Sequence, residues 1–145
     1  MQRLLILGCS KRKRTDGKSL PAIDRYDGPA FRVLRRYQNL TRDNGLCVYI
    51  LSAKFGLISA KKPIRAYDQK MTLRRAHDLQ ASVAAAVKKA ILDHEPSQVF
   101  VCAGKTYLKA LGILVDNEPR ISVASGGQGK KLACLKSWLH ENKAA

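Results

Sequence analysis

The residues of this chain best suited to chemistry are Asp68 with its neighbour Tyr67, and the run Cys9-Ser10-Lys11-Arg12-Lys13-Arg14. Asp68 is a carboxylate among Lys61, Lys62, Arg65 and Lys70. A carboxylate so placed can orient a water, accept a proton, or stabilise positive charge developing on a sugar. Tyr67 adds a hydroxyl and a ring on which a base can stack, and Tyr26 is a second such ring. Cys9 and Ser10 are candidate nucleophiles, and the bases that follow Cys9 are the setting in which a thiol is activated. No histidine lies near Cys9 in the sequence, so a small buried thiol is the competing reading. Asp68 competes with an ordinary turn or helix-capping role, and Asp24 is the reserve carboxylate.

Around these groups stand residues suited to holding phosphate. Lys11, Arg12, Lys13 and Arg14 follow the aliphatic run Leu4-Leu5-Ile6-Leu7, and Ser52 and Lys54 follow the run at 46–51. Lys105 follows the run at 98–103, and Gly126-Gly127-Gln128-Gly129-Lys130 follows a short run at 120–123. The recurring pattern is an apolar run, small residues, then a cation. The glycine-rich turn brings bare backbone N–H groups to a helix N-terminus, a plausible phosphate cradle. It matches neither the Walker spacing nor G-x-G-x-x-G. A tight strand-to-helix reversal is its competing role.

Charge narrows the function classes. The chain has 27 Lys and Arg against 11 Asp and Glu, a formal net charge of +16 over 145 residues. Such a field attracts polyanions, so nucleic acid (DNA or RNA) is the expected partner and a nucleotide the possible one. No apolar run approaches a membrane span, and the N-terminal run is too short for a secretory signal, so no membrane and a cytoplasmic location are expected. Cys9, Cys47, Cys102 and Cys134 show neither C-x-x-C nor zinc spacing. Reduced thiols, no metal and no cofactor are expected.

These groups need a scaffold that brings them together. Continuous apolar runs bounded by small residues read as strands buried on both faces, the signature of a parallel sheet. Helices are expected over 29–43 and 72–94, a short one after Lys105, and a last one from Gln128 to about Asn142. Residues 10–28 and 58–71 read as irregular. The order implies one α/β domain over residues 1–145, with three layers and a mostly parallel sheet of about four strands flanked by helices. In such sheets ligands bind beyond the carboxyl ends of the strands, where the small residues and cations fall.

Five blocks, at 9–13, 50–57, 67–71, 103–107 and 126–132, occur in an order that resembles the DUF6884 family of small bacterial and phage proteins. The middle blocks are also distantly similar to the peroxide-stress protein YaaA, which implies DNA binding. Relatives of the family look like the uracil-DNA-glycosylase type of α/β fold, although this chain has no Asp-Pro-Tyr motif.

Three functional readings stand at this point. One is an enzyme breaking or exchanging the N-glycosidic bond of a base in nucleic acid or a nucleotide. Asp68 would stabilise the sugar cation, and Tyr67 or Tyr26 would stack on the base. The second is a nucleic-acid-binding protein without chemistry, for which the charge alone suffices. The third is a small-nucleotide-binding enzyme or sensor.

Overall fold

Leu4, Leu5, Ile6 and Leu7 are each 0% exposed because their strand, β1 (Arg3–Gly8), lies at the centre of the sheet. The computed structural model describes residues 2–9, 13 and 18–141. After β1 come β2 (Leu20–Pro21), α1 (Ala22–Arg25), α2 (Pro29–Leu40), β3 (Leu46–Ser52), β4 (Gly56–Ser59) and β5 (Pro63–Ile64). Then follow α3 (Leu73–His94), β6 (Gln98–Cys102), α4 (Lys105–Leu108), α5 (Leu114–Asn117), β7 (Ile121–Val123) and α6 (Gln128–His140). A 3-10 turn over Lys109–Leu111 joins α4 to α5.

The sheet has five strands in the order β4-β3-β1-β6-β7. The β1 strand pairs parallel with β3 and with β6, and β6 pairs parallel with β7. The edge strand β4 runs antiparallel to β3, from Tyr49 opposite Ser59 to Ser52 opposite Gly56. It is the strand the apolar-run pattern missed, because it is short and begins at Gly56 with φ of +73°. Ser52 Oγ accepts the N–H groups of Lys54 and Phe55 at 3.1 and 3.2 Å and so closes the reversal. Full burial is confined to Ile50–Ser52 in β3, and β7, at the other edge, is at most half-buried.

Alternation along β1 separates two cores. Leu5 and Leu7 pack with Phe31, Leu34 and Tyr37 of α2 and with Leu135, Trp138 and Leu139 of α6. Leu4 and Ile6 pack on the other face with Ala76, Leu79, Val83 and Val87 of α3. The helical spacing of those side chains is what puts one helix layer on each side of the sheet.

Buried arginines tie the layers. Arg3 is 2% exposed, and its guanidinium donates to the carbonyls of Trp138 at 2.6 Å and Leu139 at 3.1 Å. It also donates to Asp43 Oδ2 at 2.9 Å and lies 4.4 Å from the centre of the Trp138 ring. Thus the end of α6 is pinned to the start of β1. The segment expected to be an irregular basic loop contains β2 and α1, and its Arg25 is 0% exposed. Arg25 donates to the carbonyls of Lys18 and Ile64, joining α1 to the β2–β5 ribbon.

Candidate functional site

From β1 the chain passes through α2 to β3 on one side, whereas β6 leads to β7 on the other. The connections leave β1 and β6 in opposite directions, so a crevice opens beyond their carboxyl ends, the place where open α/β sheets bind ligands. Its walls are Gly8 and Cys9 on one side and Ala103 and Gly104 on the other. They approach so closely that a Cβ on Gly8 would lie 2.9 Å from Ala103 Cβ and 3.6 Å from Tyr107 Cγ. Only glycine fits there, which is why a small residue ends the most buried strand.

Two cavities meet at this point. The first, about 320 Å³, is lined by Gly8 and Cys9, by the first turn of α2 from Gly28 to Phe31, and by Gln128 and Lys131 of α6. The second, about 410 Å³, is lined by Asp68, Gln69, Lys70, Met71, Lys13 and Lys105. Cys9, Gly104 and Tyr107 line both. Cys9 Sγ and the Tyr107 hydroxyl share a hydrogen bond of 3.0 Å, so this pair is the partition between the cavities.

Behind the partition lies a hydroxyl chain. Tyr67 OH bonds Tyr26 OH at 2.5 Å and Ser52 Oγ at 2.8 Å. Burial pushes the Tyr26 phenol up to about 12. Burial first, then the neighbouring Cys9, raises Tyr67. Burial and the hydrogen bond with Cys9 raise Tyr107 as well. All three phenols are therefore O–H groups near neutral pH, able to donate a hydrogen bond but unsuited to act as general bases. Cys102, on the wall of the first cavity, is pushed up to about 11 by burial, the nearby Lys131 pulling the other way.

The sequence-derived residues divide as follows. Asp68, Cys9, Lys13 and Lys105 come together in the second cavity, and Gln128 lines the first. Tyr67 stands behind them, half-buried, with Lys13 Nζ 4.7 Å from its ring centre and Lys54 Nζ 5.7 Å away. Its hydroxyl is committed to Tyr26 and Ser52. Tyr26 corrects the base-stacking expectation: it is 0% exposed, stacked on Phe31 at 5.3 Å, and presents no face to a ligand. Ser52 is likewise 0% exposed and spends its hydroxyl on Tyr67 and the turn, not on a phosphate.

Asp24 is half-buried in α1 and lines neither cavity. Lys130 does not enter the cleft: its side chain packs over Gly126, which has φ of +91°, and lines a separate concavity with Trp138. Gly126, Gly127 and Gly129 are exposed on the approach to α6. Ser10, Lys11, Arg12 and Arg14 lie outside the described residues.

Sequence reasoning paired Lys131 with Lys130 at the glycine-rich turn without separating them, and passed over Tyr107, the first turn of α2, and Phe55. Lys131 shares helical spacing with Leu135 and Trp138, which is the signal that it, and not Lys130, faces inward. Its ammonium donates to Ala103 O at 3.0 Å. Tyr107 follows Gly104 by one helical turn. Phe55, 36% exposed, packs edge-on against Tyr67 at 5.4 Å with Lys54 and Lys62 near its ring. Among the described residues no group of His, Cys, Asp and Glu could hold a metal ion, and no helix is long and apolar enough to cross a membrane.

Fold and crevice together define a protein of the open α/β class, with its candidate site at the switch between β1 and β6. The chain belongs to DUF6884, a family of unknown function, which it matches over residues 4–137. Its fold is similar to the crystal structure of AF0587, a protein of unknown function, with a TM-score of 0.57 and 16% identity. That likeness covers 94% of this chain and 44% of the other, so the chain spans less than half of that protein. No curated protein matches the chain.

Proposed function

We propose that this protein is an enzyme of nucleic acids or nucleotides that breaks or exchanges the N-glycosidic bond of a base, with the second cavity as its reaction chamber. The observation that carries this reading is the convergence of Asp68 with Lys13, Lys105, Cys9 and Tyr107 on one cavity at the switch point. As a base departs, positive charge grows on the sugar, and a carboxylate beside it lowers that barrier; water, or an incoming base in an exchange, then bonds to the anomeric carbon, and the proton it loses balances the one the departing base takes up. The lysines hold the polyanion, and the neutral Tyr107 hydroxyl can donate a hydrogen bond to the departing base. Cys9 is 8% exposed and bonded to Tyr107, so it shapes the chamber and is not needed as a nucleophile.

The net charge of +16 supports capture of a polyanion and fits a cytoplasmic protein acting on DNA or RNA. The same charge favours a second reading, a nucleic-acid-binding protein without turnover. One experiment separates them. The purified protein is incubated with single- and double-stranded DNA and RNA, modified-base substrates and mononucleotides, and free base is sought by mass spectrometry. Release that Asp68→Ala abolishes, with nucleic-acid affinity retained, is the expected result. Salt-dependent binding with no release from any substrate overturns the enzymatic reading.

A further inference from the structure

Resting on that reading, we propose that the substrate is a single-stranded nucleic acid, with its target nucleotide in the second cavity and the base next to it stacked on Phe55. The Phe55 ring stands on the turn between β3 and β4. Because β3 runs parallel to β1 and β6, this turn lies on the same sheet edge as the cavity. The ring is 36% exposed, whereas Tyr26, suited by type to the same role, is fully buried. Tyr67 connects ring and cavity. It packs edge-on against Phe55 with ring centres 5.4 Å apart, and Lys13 Nζ lies 4.7 Å from its own ring centre. It also precedes Asp68 in the chain, and Lys13 and Asp68 both line the second cavity. Phe55 thus stands one ring away from the chamber, where the neighbouring nucleotide of a strand would lie.

The turn is held from two sides, which makes the ring a fixed platform. Ser52 Oγ accepts the N–H groups of Lys54 and Phe55. Arg75, near the start of α3, donates to the carbonyls of Ala53 at 2.7 Å and Lys54 at 3.0 Å. A ring offered on a braced turn loses little freedom when a base stacks on it.

Charge around the ring selects a polyanion. Lys54 Nζ lies 5.4 Å and Lys62 Nζ 6.0 Å from the Phe55 ring centre. Neither lysine forms an ion pair with an acid among the described residues. The stretch 46–67 holds Lys54, Lys61, Lys62 and Arg65 and no acid. An edge-on contact with Tyr67 covers at most one face of Phe55, and cation–π contacts at an exposed ring are weak. A phosphate therefore draws the ammonium groups off the ring, and a base takes the cleared face. In a duplex the base faces are spent on one another and only edges show in the grooves, so a ring face reads single strands. A free nucleotide has no second base to reach Phe55.

Fluorescence anisotropy with the full chain tests this. The probes are a fluorescein-labelled single strand of about 12 nucleotides, as DNA and as RNA, and the DNA duplex of the same sequence. The two single strands also show which sugar the site takes. Phe55→Leu keeps apolar bulk against Tyr67 but removes the flat ring, whereas Phe55→Trp keeps a ring and adds a fluorophore. Phe55→Leu should weaken single-strand binding about fivefold or more and lower the ratio of single-strand to duplex affinity by the same factor. Its salt dependence should match that of the wild type, and Lys54→Ala combined with Lys62→Ala should flatten it. Phe55→Trp should bind like the wild type, which shows that the loss in Phe55→Leu is one of stacking, and its added fluorescence should be quenched by the unlabelled strand. Wild-type single-strand affinity in Phe55→Leu, an equal loss for the duplex, an unquenched Phe55→Trp, or no single-strand binding at low salt would each overturn the proposal. Binding that depends on Phe55 without base release from any substrate would remove the glycosidic reading and leave this surface standing. Base release that Asp68→Ala abolishes and Phe55→Leu leaves unchanged would do the reverse.

Discussion

Gly8→Ala tests whether the crevice wall is as tight as its geometry implies. The new methyl carbon would lie 2.9 Å from Ala103 Cβ and 3.2 Å from Ala103 Cα. Carbon atoms in good contact stand about 3.5–4.0 Å apart, so the overlap is roughly 0.6–1 Å. Neither atom sits on a rotatable side chain, and the strands are paired just before this point, Leu7 opposite Cys102. The wall must therefore open by backbone movement. Overpacking of this kind costs about 1–3 kcal/mol, against which the stiffer unfolded chain returns about 0.4–1 kcal/mol. A net loss of about 1–2 kcal/mol is expected in urea unfolding followed by circular dichroism. The companion variant Ala103→Gly removes the nearest of those atoms, so Gly8→Ala with Ala103→Gly should cost about 1 kcal/mol less than the sum of the single changes. A Gly8→Ala loss below about 0.5 kcal/mol, or strict additivity in the double variant, would refute the close approach as the reason for glycine.

Tyr67→Phe removes the hydroxyl that joins Tyr26 and Ser52. Leaving the buried Tyr26 hydroxyl without that partner should cost about 1–3 kcal/mol in the same unfolding assay, and an unchanged midpoint would show that the chain of hydroxyls contributes nothing. Asp43 predicts the acid limb of stability. Burial acts to raise its carboxyl, but hydrogen bonds from Tyr37, Arg3 and the Gly45 N–H outweigh it and hold it below the usual range. A depressed folded value means that its contribution is fully present above the unfolded value, about 3.9, and is lost as pH falls through the folded one. Asp43→Asn should therefore lower stability at pH about 7 and flatten its fall below pH about 4. Equal slopes for both proteins on the acid side would contradict the assignment.

Much of the scaffold was legible because burial leaves a mark on composition. The Leu4–Leu7 stretch reads as a buried strand from its unbroken apolar run, and it is the central one. The apolar stripe of α3 likewise gives both its span and its packing face. The strand β4 left no such mark, being four residues long and half exposed. The crevice that forms the candidate site was legible in its location and blurred in its lining. Cys9, Lys13 and Lys105 were singled out through the rule that small residues and cations gather past strand ends, and Asp68 as a carboxylate among cations in the irregular segment 58–71. Residue type alone does not say which way a side chain turns. Tyr26 carries the chemistry of a stacking platform, yet it fills the space between Phe31 and Tyr67. Lys130 and Lys131 are neighbours in sequence, yet the turn of α6 sends them to different concavities.

The most direct test of the central claim, that the β1–β6 crevice is where the ligand binds, is an amide chemical-shift titration of the labelled protein with a mononucleotide and with a short single-stranded oligonucleotide. The account predicts that the largest shifts fall on Gly8, Cys9, Gly104, Tyr107 and the first turn of α6, and that the mononucleotide and the oligonucleotide share them. Shifts spread over the outer faces of α2 and α3, with the crevice amides unmoved by either ligand, would contradict it and reduce the protein to a charged binding surface.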